Sequence, residues 1–367
     1  MILNKEMYVP ALSWRMGEYQ ALTYLKDCDK DKVMPLIVIP EIEYDFESRK
    51  QKKTICEHVG PFPGRFKVKW DTRPAWLALH SKIAGDKMAD GRHVFDYILD
   101  DLRLNQAQVV PVLTLDCNED TVVAVARAVD RDGLGAGMRV RLENLMAPDI
   151  EDKIKKLSTD LSLLPEDTDL IIDLWAPNFE PYHQFATALI NRLYGLRDLS
   201  AYRNFVIVST AYPESFGQIA KGIDIIPRHD WLFYKVLLTS LPSSIRCPNY
   251  GDYTIVHPEF NLNMDMRMIK PAGKIAYTTP TTWHTCKGRA FRDDPEQMHD
   301  HCKKIVTDPQ FLFRGADFSD GDQFIARCAA RQAGPSNQTY WKRVTINHHI
   351  TAVVNDLANY YASPKLS

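Results

Sequence analysis

The chain has 367 residues, with 45 Lys and Arg against 47 Asp and Glu, a formal net charge of -2 and 45% hydrophobic residues. Hydrophobic and charged fractions of this size are those of globular proteins, which excludes a largely disordered or fibrous chain. The small net charge provides no global field that would attract nucleic acid or an anionic membrane. No apolar run approaches the ~20 residues of a membrane span.

The seven cysteines are scattered along the chain and contain no Cys-x-x-Cys pair. This pattern is typical of reduced thiols rather than of a disulfide framework. The first residues also lack the apolar core of a signal peptide. We therefore expect a cytoplasmic protein that does not insert into a membrane.

Short apolar runs alternate with amphipathic helical stretches over the first two thirds of the chain. Buried, β-branched strands separated by helices are typical of a parallel sheet, and eight β/α units over ~260 residues match a barrel better than a doubly wound sheet. The sequence therefore predicts an α/β fold, a TIM-like (β/α)8 barrel. The eight runs are 8–12, 34–39, 75–79, 109–115, 138–142, 169–174, 205–210 and 253–257.

The pattern changes after the eighth run. Residues 273–279 predict an extra strand that follows too closely for a crossover helix, which needs a connection of about a dozen residues or more. Helical spacing returns near residues 294–306, 320–332 and 347–361. We expect a barrel core over residues 1–265, with an extra strand and C-terminal helices over residues 266–367, all within one structural domain.

Six segments of the chain form a recognisable pattern: Tyr8-Val9-Pro10, residues 14–22, residues 34–40, Gly251-Asp252-Tyr253, Trp283 with residues 288–291, and Asn347-His348-His349-Ile350. This pattern resembles the beta protein family, which takes its name from a protein of T-even phages. The resemblance spans nearly the whole chain, with Arg15 standing where we expect the family to have Lys. It implies an origin in a phage, prophage or bacterial mobile element and a role in phage defence or counter-defence, and it implies no established reaction.

Acidic and imidazole side chains stand at or just after the predicted strand ends, where the active sites of barrel enzymes lie. Converging carboxylates can raise a pKa for general acid catalysis, or can bind a divalent cation such as Mg2+ or Mn2+. Charged residues are also common at strand ends in any barrel, and Asp173 has the alternative of a buried ion pair with Arg141 or Lys82. The candidate catalytic residues are Glu41, Asp116, Glu143, Asp173, His257 and Glu259.

Strand counting also brings two of these carboxylates together. Because a barrel places its eighth strand beside its first, we expect Glu41 and Glu259 to approach each other near Arg15. They would then either share a cation or form ion pairs with that arginine.

Four cationic residues are candidates for binding phosphate, since basic side chains near a barrel mouth often hold that group. Pairing with Asp293 or Asp294 is the alternative for those that follow the extra strand. The four are Arg15, Lys82, Lys287 and Arg289.

The densest basic stretch, residues 49–70, interleaves Phe66 and Trp70 with lysines and arginines. Such a surface could contact the phosphates and bases of a nucleic acid. A solvated face is the simpler interpretation because the chain as a whole is not basic.

Two functional hypotheses follow. In the first, the barrel is an enzyme that acts on a phosphorylated or nucleotide-like small molecule at its carboxyl-terminal mouth. In the second, it is a non-catalytic binding or sensor protein that recognises a phage protein, a host protein or a nucleic acid. The fold alone does not choose between them, and the sequence does not predict the oligomeric state.

Overall fold

The computed structural model describes residues 1–258 and 270–363. The chain forms two compact units, each assembled from three segments. Unit 1 contains Met1–Trp14, Met34–Ser209 and Phe233–Asp252. Unit 2 contains Arg15–Val33, Thr210–Leu232 and the chain from Tyr253 onward.

The strands of the described residues are short. Those of unit 2 are the tenth, twelfth and thirteenth, and the others belong to unit 1. In chain order they are β1 (Val9–Ser13), β2 (Leu36–Ile39), β3 (Tyr44–Asp45), β4 (Lys50–Gln51), β5 (Ala75–Leu79), β6 (Val109–Thr114), β7 (Ala136–Arg141), β8 (Thr168–Trp175), β9 (Asn204–Ser209), β10 (Gly222–Pro227), β11 (Asn249–Asp252), β12 (Ala272–Thr278) and β13 (Thr282–Ala290).

Helices alternate with these strands. They are α1 (Met16–Thr23), α2 (Asp27–Lys30), α3 (Ile55–Val59), α4 (Phe62–Lys69), α5 (Val94–Leu104), α6 (Glu119–Asp132), α7 (Leu142–Met146), α8 (Ile150–Asp160), α9 (Tyr182–Tyr194), α10 (His229–Ser240), α11 (Gln297–Thr307), α12 (Asp320–Ala329) and α13 (Gln338–Ala362). None of the helices in the described part of the chain is both long and apolar enough to cross a bilayer.

Unit 1 is built on a closed barrel of parallel strands in the order β1-β11-β9-β8-β7-β6-β5-β2. This order confirms the predicted TIM-like α/β fold. Most residues of these strands are apolar because a parallel barrel buries both of their faces. On α5, the apolar face of Phe95, Ile98, Leu99 and Leu102 is buried, as a helix that covers such a sheet requires.

The last barrel strand lies earlier than predicted. The apolar run 253–257 is not a strand: Thr254 adopts a left-handed conformation with φ 58°, and the strand is β11, immediately before it. β11 carries a polar residue at each end, which hides it from a search for apolar runs. Its Asp252 accepts hydrogen bonds from the hydroxyls of Tyr8 and Tyr250, and Gly251 allows close approach, since an added Cβ would lie 2.7 Å from the carbonyl oxygen of Val9.

A buried carboxylate joins three barrel strands. Asp169 on β8 accepts hydrogen bonds from Trp76 Nε1 on β5 at 2.7 Å and from Asn204 Nδ2 on β9 at 2.7 Å. Arg203 donates to both of its oxygens, at 2.8 and 2.7 Å. Because the charge is paired and hydrogen-bonded, it can be buried without a large desolvation penalty.

Unit 2 contains a three-stranded antiparallel sheet in the order β10-β13-β12 and the helices α11, α12 and α13. The predicted extra strand is confirmed as β12. Its residues Ile275 and Tyr277 belong to a buried cluster that includes Met298 of α11 and Val344 of α13.

The helix predicted over residues 347–361 begins earlier, at Gln338. The side chain of Asn337 caps it by accepting a hydrogen bond from the backbone N–H of Tyr340. His348 and His349 therefore lie in the middle of α13 and not at its start.

Candidate functional site

Two of the predicted catalytic carboxylates lie in exposed polar pairs of unit 1. Lys82 Nζ donates to Glu41 Oε2 at 2.5 Å, and Asn144 Nδ2 donates to Asp116 Oδ2 at 3.2 Å. The Lys82 side chain is 58% exposed, so its pair with Glu41 contributes at most about 1 kcal/mol to stability. A catalytic role for these carboxylates stays a prediction.

Asp173 is fully buried in a barrel strand, and its main partner differs from the two considered from the sequence. Arg139 Nε donates to Asp173 Oδ2 at 2.8 Å, whereas Arg141 lies 4.0 Å from the same oxygen. Arg141 instead stacks its guanidinium 3.4 Å from the centre of the Trp175 ring and lies 3.6 Å from Glu143. Arg139 and Arg141 are two residues apart on β7, which is the spacing of side chains on one face of a strand, so sequence spacing alone does not show which of them reaches the carboxylate.

Glu259 lies outside the described residues, so its predicted approach to Glu41 stays a prediction. Within residues 1–258 and 270–363, no group of three or more His, Cys, Asp or Glu side chains is arranged to hold a metal ion.

Fewer side chains of the basic stretch 49–70 are available to contact a nucleic acid than its sequence indicates. Phe66 and Trp70 are buried, at 1% and 2% exposure, so these two rings are not available for the base stacking considered from the sequence. They are interior residues of the α4 region. Two of the cations are paired with acids, Lys52 with Glu43 at 2.8 Å and Lys67 with Asp71 at 2.7 Å. Phosphate contacts by the remaining cations stay a prediction.

A cavity of about 250 Å³ lies within unit 2, and its lining is mostly apolar with a cluster of basic side chains. Its walls come from β12, β13, the first two turns of α13 and two loop segments. Among the described residues, the polar lining includes Tyr212, Glu214, His257, Lys274, Lys287 and Lys342, and the apolar lining includes Ile255, Phe291, Met298 and Trp341.

The strand alternation of β12 directs Lys274 to this cavity. Ala272, Lys274 and Ala276 line it, whereas Ile275, between the last two, packs in the core. Such alternation follows from the pleat, which points successive side chains to opposite faces. Gly273 lies on the other face, where an added Cβ would be 2.9 Å from Gln297 Cδ, so a larger residue would require the Gln297 side chain to move.

Lys287 is the direct cross-strand neighbour of Lys274. The antiparallel pairing of β12 with β13 sets the two residues opposite each other. Like charges in such positions destabilise a sheet by up to about 1 kcal/mol. Lys287 also donates from Nζ to the carbonyl oxygen of Ile219 at 2.6 Å, which fixes the amine at the cavity wall.

The third lysine comes from α13. Gln338, Trp341, Lys342 and Thr345 line the cavity with helical spacing, so one face of this helix forms the wall. Lys342 Nζ lies 2.9 Å from Glu18 Oε1 on α1. Glu18 is only 2% exposed, and its buried carboxylate is the acidic partner of Lys342.

The amine of Lys274 has the most perturbed environment of the three. Its Nζ lies 3.1 Å from the hydroxyl of Tyr212. Burial and the nearby positive charges of Lys287 and Lys342 lower the pKa of Lys274 well below its usual value. Burial raises the pKa of Tyr212 above its usual value, so the phenol stays neutral. Lys274 therefore loses its proton far more readily than an exposed lysine does.

The structure brings two of the predicted site residues to this cavity, Lys287 and His257. His257 is not at a strand end as predicted, because β11 ends at Asp252. Arg289 is exposed on β13 and does not line the cavity. Arg15 does not line it either; this residue precedes α1, and its carbonyl oxygen accepts the first hydrogen bonds of that helix.

Sequence reasoning missed Tyr212, Lys274 and Lys342. Lys274 had a signal, since it interrupts an otherwise apolar or small-residue strand. A lysine at such a position needs a polar neighbour or a ligand. Tyr212 and Lys342 had none, because their meeting depends on the packing of unit 2.

Comparison with known proteins gives one assignment. A search of the curated proteins finds no match. The model of one family, described as beta protein, matches residues 8–355. This match covers nearly the whole chain and includes the residues of both units that the preceding paragraphs describe. The chain belongs to the beta protein family.

Proposed function

We propose that this protein binds a small phosphorylated or nucleotide-like molecule in the lysine-lined cavity of unit 2. The observation that carries the proposal is the cross-strand pair of Lys274 and Lys287 with Lys342 at the same cavity. Like charges this close raise the free energy of the unliganded protein, and a bound anion reverses that effect.

The remaining lining suits the rest of such a ligand. Trp341 and Phe291 provide flat apolar surfaces at the same cavity. Ligand sites commonly combine an apolar lining with a few placed polar groups, as this one does. The volume of about 250 Å³ favours a compact metabolite over a macromolecular partner.

The proposal keeps the ligand class of the enzyme hypothesis from the sequence, but it assigns the ligand to unit 2 instead of to the carboxyl-terminal mouth of the barrel. An enzyme and a sensor both need to hold the ligand, and the lysine cluster serves either role. A place in phage defence or counter-defence remains part of the proposal because of what the family resemblance implies. Recognition of a phage or host protein is the second candidate, with the bound molecule as its signal.

Thermal shift with matched probes tests the proposal. Adenosine monophosphate and ribose 5-phosphate are expected to raise the melting temperature more than adenosine, because a ligand that binds only the native state stabilises it. Lys287→Gln is expected to reduce the difference between phosphorylated and unphosphorylated probes. The control is Lys303→Gln, on the exposed side of α11, which should leave it unchanged. Equal shifts with adenosine and its monophosphate would count against a phosphate site.

A further inference from the structure

Lys274 differs from the two other lysines of the cavity in its surroundings. Lys342 lies beside the carboxylate of Glu18, and Lys287 donates to a backbone carbonyl. The amine of Lys274 lies beside the hydroxyl of Tyr212, and it is 5.3 Å from the centre of that ring. A phenol stabilises a cation less than a carboxylate does, so this contact does little to hold the amine in its charged form.

We propose that Lys274 forms an imine with a phosphorylated aldehyde or ketone in this cavity, while Lys287 and Lys342 hold the phosphate. The inference rests on the proposed function and specifies its ligand class.

The reaction needs only the carbonyl compound and the amine. The lone pair of neutral Nζ attacks the carbonyl carbon, and the resulting carbinolamine loses its oxygen as water with two protons that were on the nitrogen. A C=N bond replaces the C=O bond, and no oxidant or reductant takes part. A lysine that is desolvated and lies next to another cation is suited to this step because its neutral fraction is larger than that of an exposed lysine at the same pH.

The geometry allows one small molecule to reach both groups. Lys274 and Lys287 are direct neighbours across the strand pair, where Cβ atoms lie about 5 Å apart. A phosphate held by Lys287 therefore keeps a carbonyl several bonds away near the amine of Lys274. Tyr212 acts as a positioning residue, since its hydroxyl holds the amine at the cavity and stays a neutral hydrogen-bonding group.

Reductive trapping tests the imine. The probe is pyridoxal 5′-phosphate at low concentration, followed by borohydride, with peptide mapping of the wild-type protein by mass spectrometry. We expect Lys274 to carry the dominant label, severalfold above that of any other lysine, because a lowered pKa leaves more of its amine neutral and a phosphate held by Lys287 keeps the aldehyde near it. Inorganic phosphate should suppress the label, and pyridoxal without its phosphate should label Lys274 more weakly.

Two variants sharpen the test. Lys274→Arg should remove the dominant adduct, whereas Lys303→Arg, an exposed position in the same unit, should keep it. Mapping of the wild type decides the question even if Lys274→Arg fails to fold. Labels spread evenly over exposed lysines would overturn the proposal.

Pyridoxine 5′-phosphate, which has an alcohol in place of the aldehyde, separates the two inferences. If pyridoxine 5′-phosphate stabilises the protein while pyridoxal 5′-phosphate leaves no reduced adduct on Lys274, the imine is wrong and the phosphate site stands. If neither phosphorylated compound binds better than pyridoxal, both proposals fail.

Discussion

Lys274 and Lys287 lie directly opposite each other in the β12–β13 pair, two like charges at the wall of one mostly apolar cavity. Such a pair lowers the stability of the sheet that carries it. Stability that a protein gives up in this way is commonly linked to a functional site.

Replacement of one member is therefore expected to stabilise the unliganded protein. Lys274→Met removes the buried amine opposite Lys287, keeps much of the side-chain volume, and should raise the free energy of unfolding by up to about 1 kcal/mol. The same change should weaken binding of a phosphorylated aldehyde such as pyridoxal 5′-phosphate, because the imine can no longer form. Urea denaturation and calorimetric titration measure the two effects, and Lys303→Met is the exposed control. A variant that is less stable and binds equally well would contradict the assignment.

The carboxylate of Asp169 is expected to be essential to the barrel. Asp169→Asn leaves Arg203, whose side chain is 11% exposed, without its ionic partner. Breaking one side of a buried ion pair costs about 3 to 5 kcal/mol. Denaturant unfolding measures the loss. Asp100→Asn, which removes a half-exposed partner of Arg92 and Arg131, should cost at most about 1 kcal/mol. Similar losses for the two variants would show that the Asp169 network is not a stabilising element.

Stability in acid should depend on a second buried carboxylate, Asp322 in unit 2. Its oxygens accept hydrogen bonds from Tyr277 and Ser319, and one lies 2.8 Å from His348 Nδ1. Burial acts to raise the pKa of Asp322, but the charge of His348 and these hydrogen bonds outweigh it and lower the pKa below its usual value.

The direction of the pH effect follows from that shift. Because the folded pKa lies below the unfolded value of about 3.9, the stability from Asp322 is present above about pH 4 and is lost as the pH falls through the folded pKa. Asp322→Asn should be less stable at neutral pH and should show a shallower decline in acid. Unfolding free energies measured from pH 7 downward test this, with Asp100→Asn as the control that keeps the wild-type slope. A wild-type slope in the Asp322 variant would contradict the prediction.

The strand-end carboxylate Glu41 should matter little to the fold. Glu41→Gln removes its ion pair with Lys82, which is exposed, so the free energy of unfolding should change by less than about 1 kcal/mol. Melting curves with chelator and with Mg2+ or Mn2+ test the cation hypothesis in the same samples. A metal-dependent shift that this substitution eliminates would support it, and a loss of several kcal/mol without metal would show a structural role.

The sequence predicts the barrel well because its signal is local. Seven of the eight predicted runs fall on barrel strands, since apolar, β-branched strands are what a buried parallel sheet requires. β11 is not predicted by a search for apolar runs. Its Asn249 and Asp252 are polar residues that the barrel buries through tertiary hydrogen bonds, which no run of apolar residues shows.

The candidate site is less predictable because its residues are far apart in the chain. Lys287 was predicted as a phosphate ligand from its place after the extra strand, and it does lie at the cavity. Lys342 and Tyr212 come from a helix and a loop whose meeting depends on how unit 2 packs. Sequence spacing shows which residues share one face of a strand or a helix, whereas this site is built from two strands, a helix and a loop.

The measurement that tests the central claim most directly is a crystal structure of the protein grown with adenosine monophosphate. The phosphate is expected within hydrogen-bond distance of Lys287 and Lys342, with the base against the apolar wall formed by Trp341 and Phe291. A structure in which the nucleotide lies at the barrel strand ends near Glu41, with the lysine-lined cavity empty, would contradict the account.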